Sequence, residues 1–341
     1  MFSRFGGKSK AKVEEKKFIP PPKLNENDPQ REDEKECLAF LEAKLGDRLN
    51  TCSKMTVLRF CRGFLHLENP QEAALDMITK YLDWRIEKKV DEIVAANSAD
   101  MPGRTLFKKA WPHGVHGQGR QGNPVYIERL GKTDPAALFK EWTLDEMLAF
   151  HIKAMEELCQ LKDRLAVARN KNVYKHVVVL DLDGLGWAHC TPKLTGPLQM
   201  YMATDQNFYP ESLYCMIILN GGWTLNKLWG WVTPYLDPLT ASRIHICETT
   251  EKLNEYVSVE NIPRFLGGKC ACEGGRCLEV PFKAGGDAPS LDCSPIPAAS
   301  PQDEKQAEDV AVTETQSEVE KEPQPETETE QAQKPVSTGE I

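Results

Sequence analysis

No run of about 18 apolar residues occurs anywhere in the 341 residues, so no segment has the character of a transmembrane helix. MFSRFGGKSKAKVEEKK contains no apolar core, so a secretory leader is not expected. Phe2 makes N-myristoylation unexpected, and the final TGEI offers no cysteine for prenylation. The eleven cysteines, an odd number without a leader, are expected to be reduced thiols in the cytosol. Any meeting with a membrane is then peripheral.

Signatures of catalysis are equally scarce. There is no Gly-x-Ser-x-Gly elbow, and none of the seven histidines pairs with a Ser or Cys at a telling spacing. The stretch HGQGRQG precedes a strand instead of following one and lacks Gly-Lys-Ser/Thr, so it reads as a flexible connector and not as a phosphate cradle. Cys270, Cys272 and Cys277 form C-x-C-x4-C without the paired C-x2-C knuckles of structural zinc, and no metal is assigned to them. The net charge of −9 sits in one place: residues 301–341 hold 12 Asp/Glu and 3 Lys, leaving the rest neutral. A neutral body is not expected to bind nucleic acid.

What is present is a patterned α/β chain. A flexible Lys- and Pro-containing arm is expected at 1–29, a helical N-terminal lobe at 30–100, a second lobe at 101–280 and a disordered acidic tail at 281–341. In the first lobe, apolar positions around Leu38–Leu45, Met55–Cys61 and Ala73–Trp84 predict three helices, the last opened by a capping box of Asn69 and Glu72 with Pro70 in the first turn. After the glycine-rich stretch, PVYIERL predicts a strand and TLDE at 143–146 a capping box for a long helix to about Asn170. Strands at VYKHVVVLDL, SLYCMIILN and RIHIC then alternate with helical segments, which predicts a mostly parallel sheet.

The stretch HVVVLDLDG (176–184) poses a choice. Strand alternation puts His176, Val178, Leu180 and Leu182 on one face and Val177, Val179, Asp181 and Asp183 on the other. Two carboxylates on one side suit a divalent ion, which would make the protein a metal-dependent enzyme. No third hard ligand accompanies them, and Asp and Gly are the residues with which strands end, so a turn is expected. The second unusual stretch is WTLNKLWGWVTPY (223–235). Leu225, Leu228, Trp229 and Val232 form a helical stripe, whereas Trp231 and Tyr235 fall outside it, so apolar surface faces two ways.

Taken together, TVLRFCRGF, GNPVYIERL, VVVLDLDGLG, DQNFYPESL, the segment 220–246 with YLDPLTASRI, and ENIPRFLGGKC resemble the CRAL-TRIO lipid-binding family, in its phosphatidylinositol/phosphatidylcholine transfer branch. They occur in family order over about 30–270. The resemblance implies a helical lobe beside a mostly parallel sheet that floors a large apolar pocket, with a gate helix at about 223–242. Trp223, Leu228, Trp229 and Val232 would belong to that gate, covering lipid on one side and meeting a bilayer on the other.

The resemblance also implies site residues. The inositol phosphate would be met by Glu211, Thr240 and Arg243, a set that composition alone would read as solvated surface charge. Arg59 and Arg62 would be structural, and a further family Arg falls in GFLHL (63–67), where none is present. Pocket-lining positions fall on Tyr126, Met155, His176 and Val178; at the last three the hydroxyls that hold a choline lipid are replaced, so phosphatidylcholine exchange is expected to be weak. His176 is expected to be a satisfied core histidine, with contact to a second ligand as the alternative. The implied protein is a cytoplasmic, non-enzymatic carrier that visits intracellular membranes peripherally. Its ligand is a phospholipid, it needs no cofactor, and its partners would be a lipid kinase or a protein recruited by the tail. The alternative is a sensor or adaptor for a sterol-, isoprenoid- or haem-like molecule.

Overall fold

A computed structural model describes residues 26–97, 101–222, 225, 229, 238–247, 249–270, 272 and 277–279. Most of the expected arm and all of the acidic tail lie outside them, as do Trp223, Leu228, Trp231, Val232 and Tyr235. Helices α1 (Glu32–Leu45), α2 (Lys54–Phe64) and α3 (Pro70–Glu87) form at the three predicted places. Ser53 caps α2 by accepting from the Thr56 amide, but Asn69 makes no side-chain cap bond, so the predicted capping box at α3 does not form and Pro70 alone marks the start. The buried faces of these helices, among them Cys37, Leu41, Phe60, Ile78 and Trp84, share a core with Ile152 and Met155 of a later helix.

Three short helices were not foreseen: α4 (Val90–Ala95), α5 (Arg104–Ala110) and α6 (Pro135–Glu141). They are too brief for apolar periodicity to register. The long helix α7 (Leu144–Arg169) opens on the predicted capping box, with Thr143 and Glu146 bonding reciprocally, and closes on left-handed Asn170. It is followed by α8 (Pro192–Phe208), which starts on its proline.

Among the described residues, five strands form one sheet in the order β1 (His113–Gln118), β2 (Pro124–Glu128), β3 (His176–Asp181), β4 (Leu213–Leu219) and β5 (Ile244–Cys247). The first pair is antiparallel and the remaining pairs are parallel. Strand β1 overturns part of the connector reading: HGVHGQ is a strand although it holds one aliphatic residue. Its conformation comes from pairing with β2 and from a cover on its surface. A Cβ at Gly114 would sit 2.5 Å from the Leu278 carbonyl oxygen, so glycine is what admits that cover.

Register across the sheet separates two faces. Tyr126, Val178, Met216 and Ile244 form one row, and Glu128, Leu180 and Ile218 the next. On the opposite face, Ile127, Val179 and Ile217 pack under Leu253, Val257, Ile262 and Leu266 in a closed core.

Candidate functional site

The first face is hollow. Both rows line an internal cavity of about 160 Å³, with Leu182 and His176 on the same floor. Helix α7 contributes His151 and Met155 to its walls, and α8 contributes Leu198, Tyr201, Met202 and Asp205. Leu225 and Trp229, both helical and one turn apart, close another side. Thus Tyr126, Met155, His176 and Val178 all face the cavity, and of the four expected gate residues Trp229 is described and lies against it. A larger cleft of about 810 Å³ elsewhere is lined by Arg104, Lys108, Lys109, Arg129 and Lys153. It touches none of the predicted residues.

The cavity is apolar with a polar end. His151 Nε2 lies 2.8 Å from Asp205 Oδ1, and its ring stacks on Tyr201 at 4.1 Å. Burial pushes the His151 pKa down, but the Asp205 carboxylate outweighs it and the net shift is upward. Glu128 accepts from Trp111 Nε1 at 2.7 Å, and burial raises its pKa. His176 is not the satisfied core histidine expected. It is buried with no hydrogen-bond partner on Nδ1, and desolvation holds its pKa well below the ordinary value.

The charged residues gather at the other predicted place, the edge where the parallel strands begin. Lys175 precedes β3, Glu211 lies just before β4, and Arg243 precedes β5; parallel register brings all three together. Arg243 Nη2 donates to both Glu211 oxygens at 3.0 and 3.1 Å, Nη1 donates to the Leu213 carbonyl at 3.1 Å, and Lys175 Nζ lies 2.9 Å from Glu211. Half-buried Thr240 accepts the Arg243 amide on its backbone oxygen at 3.0 Å. The pair is not the solvated one that composition suggested, because the Glu211 side chain is 7 % exposed. Burial opposes its ionisation, yet Lys175 and Arg243 hold its carboxyl below the usual range. Its backbone adopts φ 53°, a left-handed conformation uncommon for glutamate, as befits a residue fixed by its partners.

Arg59 and Arg62 border this edge. Arg59 donates to Ser212 Oγ at 2.6 Å, and Arg62 forks onto Glu34 with both contacts at 3.1 Å while also bonding Tyr174. Glu26, at the end of the expected arm, is buried here and accepts from the Tyr174 and Lys175 amides at 2.9 Å. Lys175 escaped the sequence reading because nothing local distinguishes it; pairing the starts of β3 and β4 would have exposed it.

The carboxylate pair of HVVVLDLDG resolves as a strand end. Asp181 is buried and accepts from Arg129 Nε (3.0 Å), Asn220 Nδ2 (2.8 Å) and the Asp183 amide (3.0 Å). Asp183 is exposed and pairs with Lys132 at 2.8 Å. Among the described residues, the one grouping with metal-ligand geometry does not include either carboxylate.

A mostly parallel sheet with one solid face and one hollow, helix-covered face defines an α/β domain built around an internal pocket. Residues 108–268 match the CRAL/TRIO domain, so this part of the chain is similar to that family. It is 34 % identical over 230 residues to "Phosphatidylinositol/phosphatidylcholine transfer protein SFH13" of Arabidopsis thaliana, covering 65 % of this chain and 36 % of that protein. It is 36 % identical over 210 residues to the same organism's transfer protein SFH9, covering 60 % and 36 %. For SFH11 the identity is 32 % over 216 residues, covering 62 % and 56 %. The chain thus matches between about a third and somewhat over half of the length of these relatives. The crystal structure of Sfh5 superposes with a TM-score of 0.48 at 16 % identity, over 62 % of this chain and 68 % of that one.

Proposed function

We propose that this protein carries a membrane lipid, phosphatidylinositol in the first place, and exchanges it at bilayer surfaces without breaking a covalent bond. The observation that carries the reading is the hollow sheet face: two rows of side chains across β2–β5 line an internal cavity whose far wall includes Leu225 and Trp229. A diacyl lipid has roughly thirty methylenes, each costing about 0.8 kcal/mol to leave in water, so it crosses the aqueous phase only inside an apolar enclosure. A volume of about 160 Å³ is below the ~300–1,000 Å³ of pockets for drug-sized ligands, so loading requires the wall to swing aside. In this reading the gate expected at about 223–242 would provide that opening.

The headgroup would be met at the strand-start edge. Arg243 and Lys175 are cations that share one carboxylate, Glu211, and Arg243 keeps an exposed side on which a phosphate can sit. Support for the lipid class comes from the names of the Arabidopsis relatives. Phosphatidylcholine fits less well, since His176, Val178 and Met155 supply no hydroxyl. The protein would work in the cytoplasm, touch intracellular membranes peripherally, and present its lipid to a kinase or to partners of the acidic tail. No helix of the described residues is long and apolar enough to cross a membrane.

The test is vesicle-to-vesicle transfer of labelled phosphatidylinositol by the full chain. Wild type is expected to transfer it, with phosphatidylcholine at least tenfold slower. Arg243→Gln removes a charge-assisted contact worth about 1.5–3 kcal/mol, which is roughly a ten- to hundredfold loss of phosphatidylinositol transfer. Unchanged transfer in a variant with native circular dichroism would refute the headgroup assignment. One observation favours a second reading, the unpaired Nδ1 of His176 at the cavity, which a sterol hydroxyl or a haem could engage. Native mass spectrometry of the purified chain separates the readings by the mass of the bound molecule.

A further inference from the structure

Cys270, Cys272 and Cys277 stand at a spacing that by itself points to no metal site. The fold supplies what the spacing lacked. His116, on edge strand β1, is brought to Cys270, Cys272 and Cys277, and one donor atom from each of the four lies within 4.8 Å of all the others. We propose that these four side chains form a mononuclear, tetrahedral site for a soft divalent cation, zinc by the chemistry of its donors.

Several independent observations converge there. Cys270 Sγ and Cys272 Sγ are 3.7 Å apart. Sulfurs bound to one zinc at ~2.3 Å in a tetrahedron are separated by about 3.8 Å, whereas a disulfide needs ~2.05 Å. A disulfide would also leave a third thiol and the histidine unused. His116 is 7 % exposed, and its Nε2 has no hydrogen-bond partner. Its ring bonds the backbone of Cys277, which fixes the imidazole in the way that metal-binding histidines are held by a partner on the second nitrogen.

The backbone holds the ligands in place without help from a metal. The Cys270 amide donates to Ile262 O at 3.0 Å, and its carbonyl accepts the Arg264 amide at 3.2 Å. Gly114, two residues before His116, lets the Leu278 carbonyl lie directly on β1, which sets Cys277 against the strand. Three thiolates and one imidazole favour zinc over harder ions, and four protein ligands leave no open position, so the site is structural. Binding releases the protons of the three thiols as zinc–sulfur bonds form. The consequence is a clip that fastens the outer edge of β1 to the segment that follows the sheet, at an edge where an unpaired strand would otherwise be free to associate.

The test uses the untagged full chain, purified under reducing conditions without chelator. Plasma emission should find one zinc per chain, and Co2+ added to the stripped protein should give thiolate charge-transfer bands with the visible spectrum of a tetrahedral ion. Cys272→Ser and His116→Ala should lose the bound zinc, while Cys190→Ser, at a half-buried thiol outside the cluster, should keep it. Substoichiometric zinc in wild type with no tetrahedral cobalt spectrum would overturn the proposal. So would a Cys270–Cys272 disulfide mapped in the freshly isolated protein, or full zinc retention in both ligand variants. If the variants fail to fold, the wild-type stoichiometry and cobalt spectrum decide alone.

Discussion

The two faces of the central sheet are made from the same strands, yet one is solid and the other is hollow. Val179 and Ile217 point into a closed core, whereas their neighbours Val178, Leu180 and Ile218 point into a cavity. Both faces are rich in β-branched and aliphatic residues, so hydrophobicity alone does not separate them. The difference lies in what covers each face. The segment from Leu253 to Leu266 lays its side chains directly on the first, while α7 and α8 stand over the second and leave space. A closed face contributes stability, and an open face gives up part of it.

The sharpest way to break this comparison is truncation. Ile217→Ala should cost about 2–5 kcal/mol in urea unfolding, because it opens a hole in a filled core. Ile218→Ala should cost less, since its buried side chain borders the cavity. Equal losses would mean the cavity face is packed as tightly as the other. Enlargement should give the opposite pattern. Val179→Phe is expected to destabilise by about 1–3 kcal/mol through overpacking, while Val178→Phe should be nearly neutral in stability and should block lipid uptake. Full lipid loading by Val178→Phe would place the ligand elsewhere.

The smallest effect concerns acid. Buried histidines lie on or beside the hollow face, and burial pushes His113 down to about 3 while its Nδ1 bonds the Trp111 carbonyl at 2.8 Å. A histidine kept neutral in the fold takes up a proton on unfolding below its ordinary pKa of 6.5. Its contribution is therefore fully present above pH 6.5 and is lost as pH falls from there toward 3. Each pH unit within that window removes about 1.4 kcal/mol per such group. Chemical denaturation of wild type and His113→Asn at pH 6.5 and 5.5 should show a shallower fall in the variant, and identical slopes would mean that His113 is not held neutral.

How much of this was legible depended on the range of the interaction involved. Alternation within HVVVLDL separated the floor residues His176, Val178 and Leu180 from the core residues Val177 and Val179, because a strand's period of two is a local property. The Thr143 capping box and the proline start of α3 were local too. Strand β1 was not legible: its sequence has no alternation, and its conformation comes from β2 on one side and Leu278 above. Lys175 joins Glu211 only through parallel pairing, and His116 meets the cysteines only through the fold, so neither could be found by spacing. The burial of Glu211 was missed for the same reason, since its partners Lys175 and Arg243 come from the segments that precede β3 and β5.

One earlier contact reaches further than its size suggests. Arg59 of α2 touches Ser212, the neighbour of Glu211, across 153 positions of chain. The helical lobe thereby braces the backbone beside the charged pair, so a substitution in α2 can displace Glu211 without altering any residue that bonds to its carboxylate.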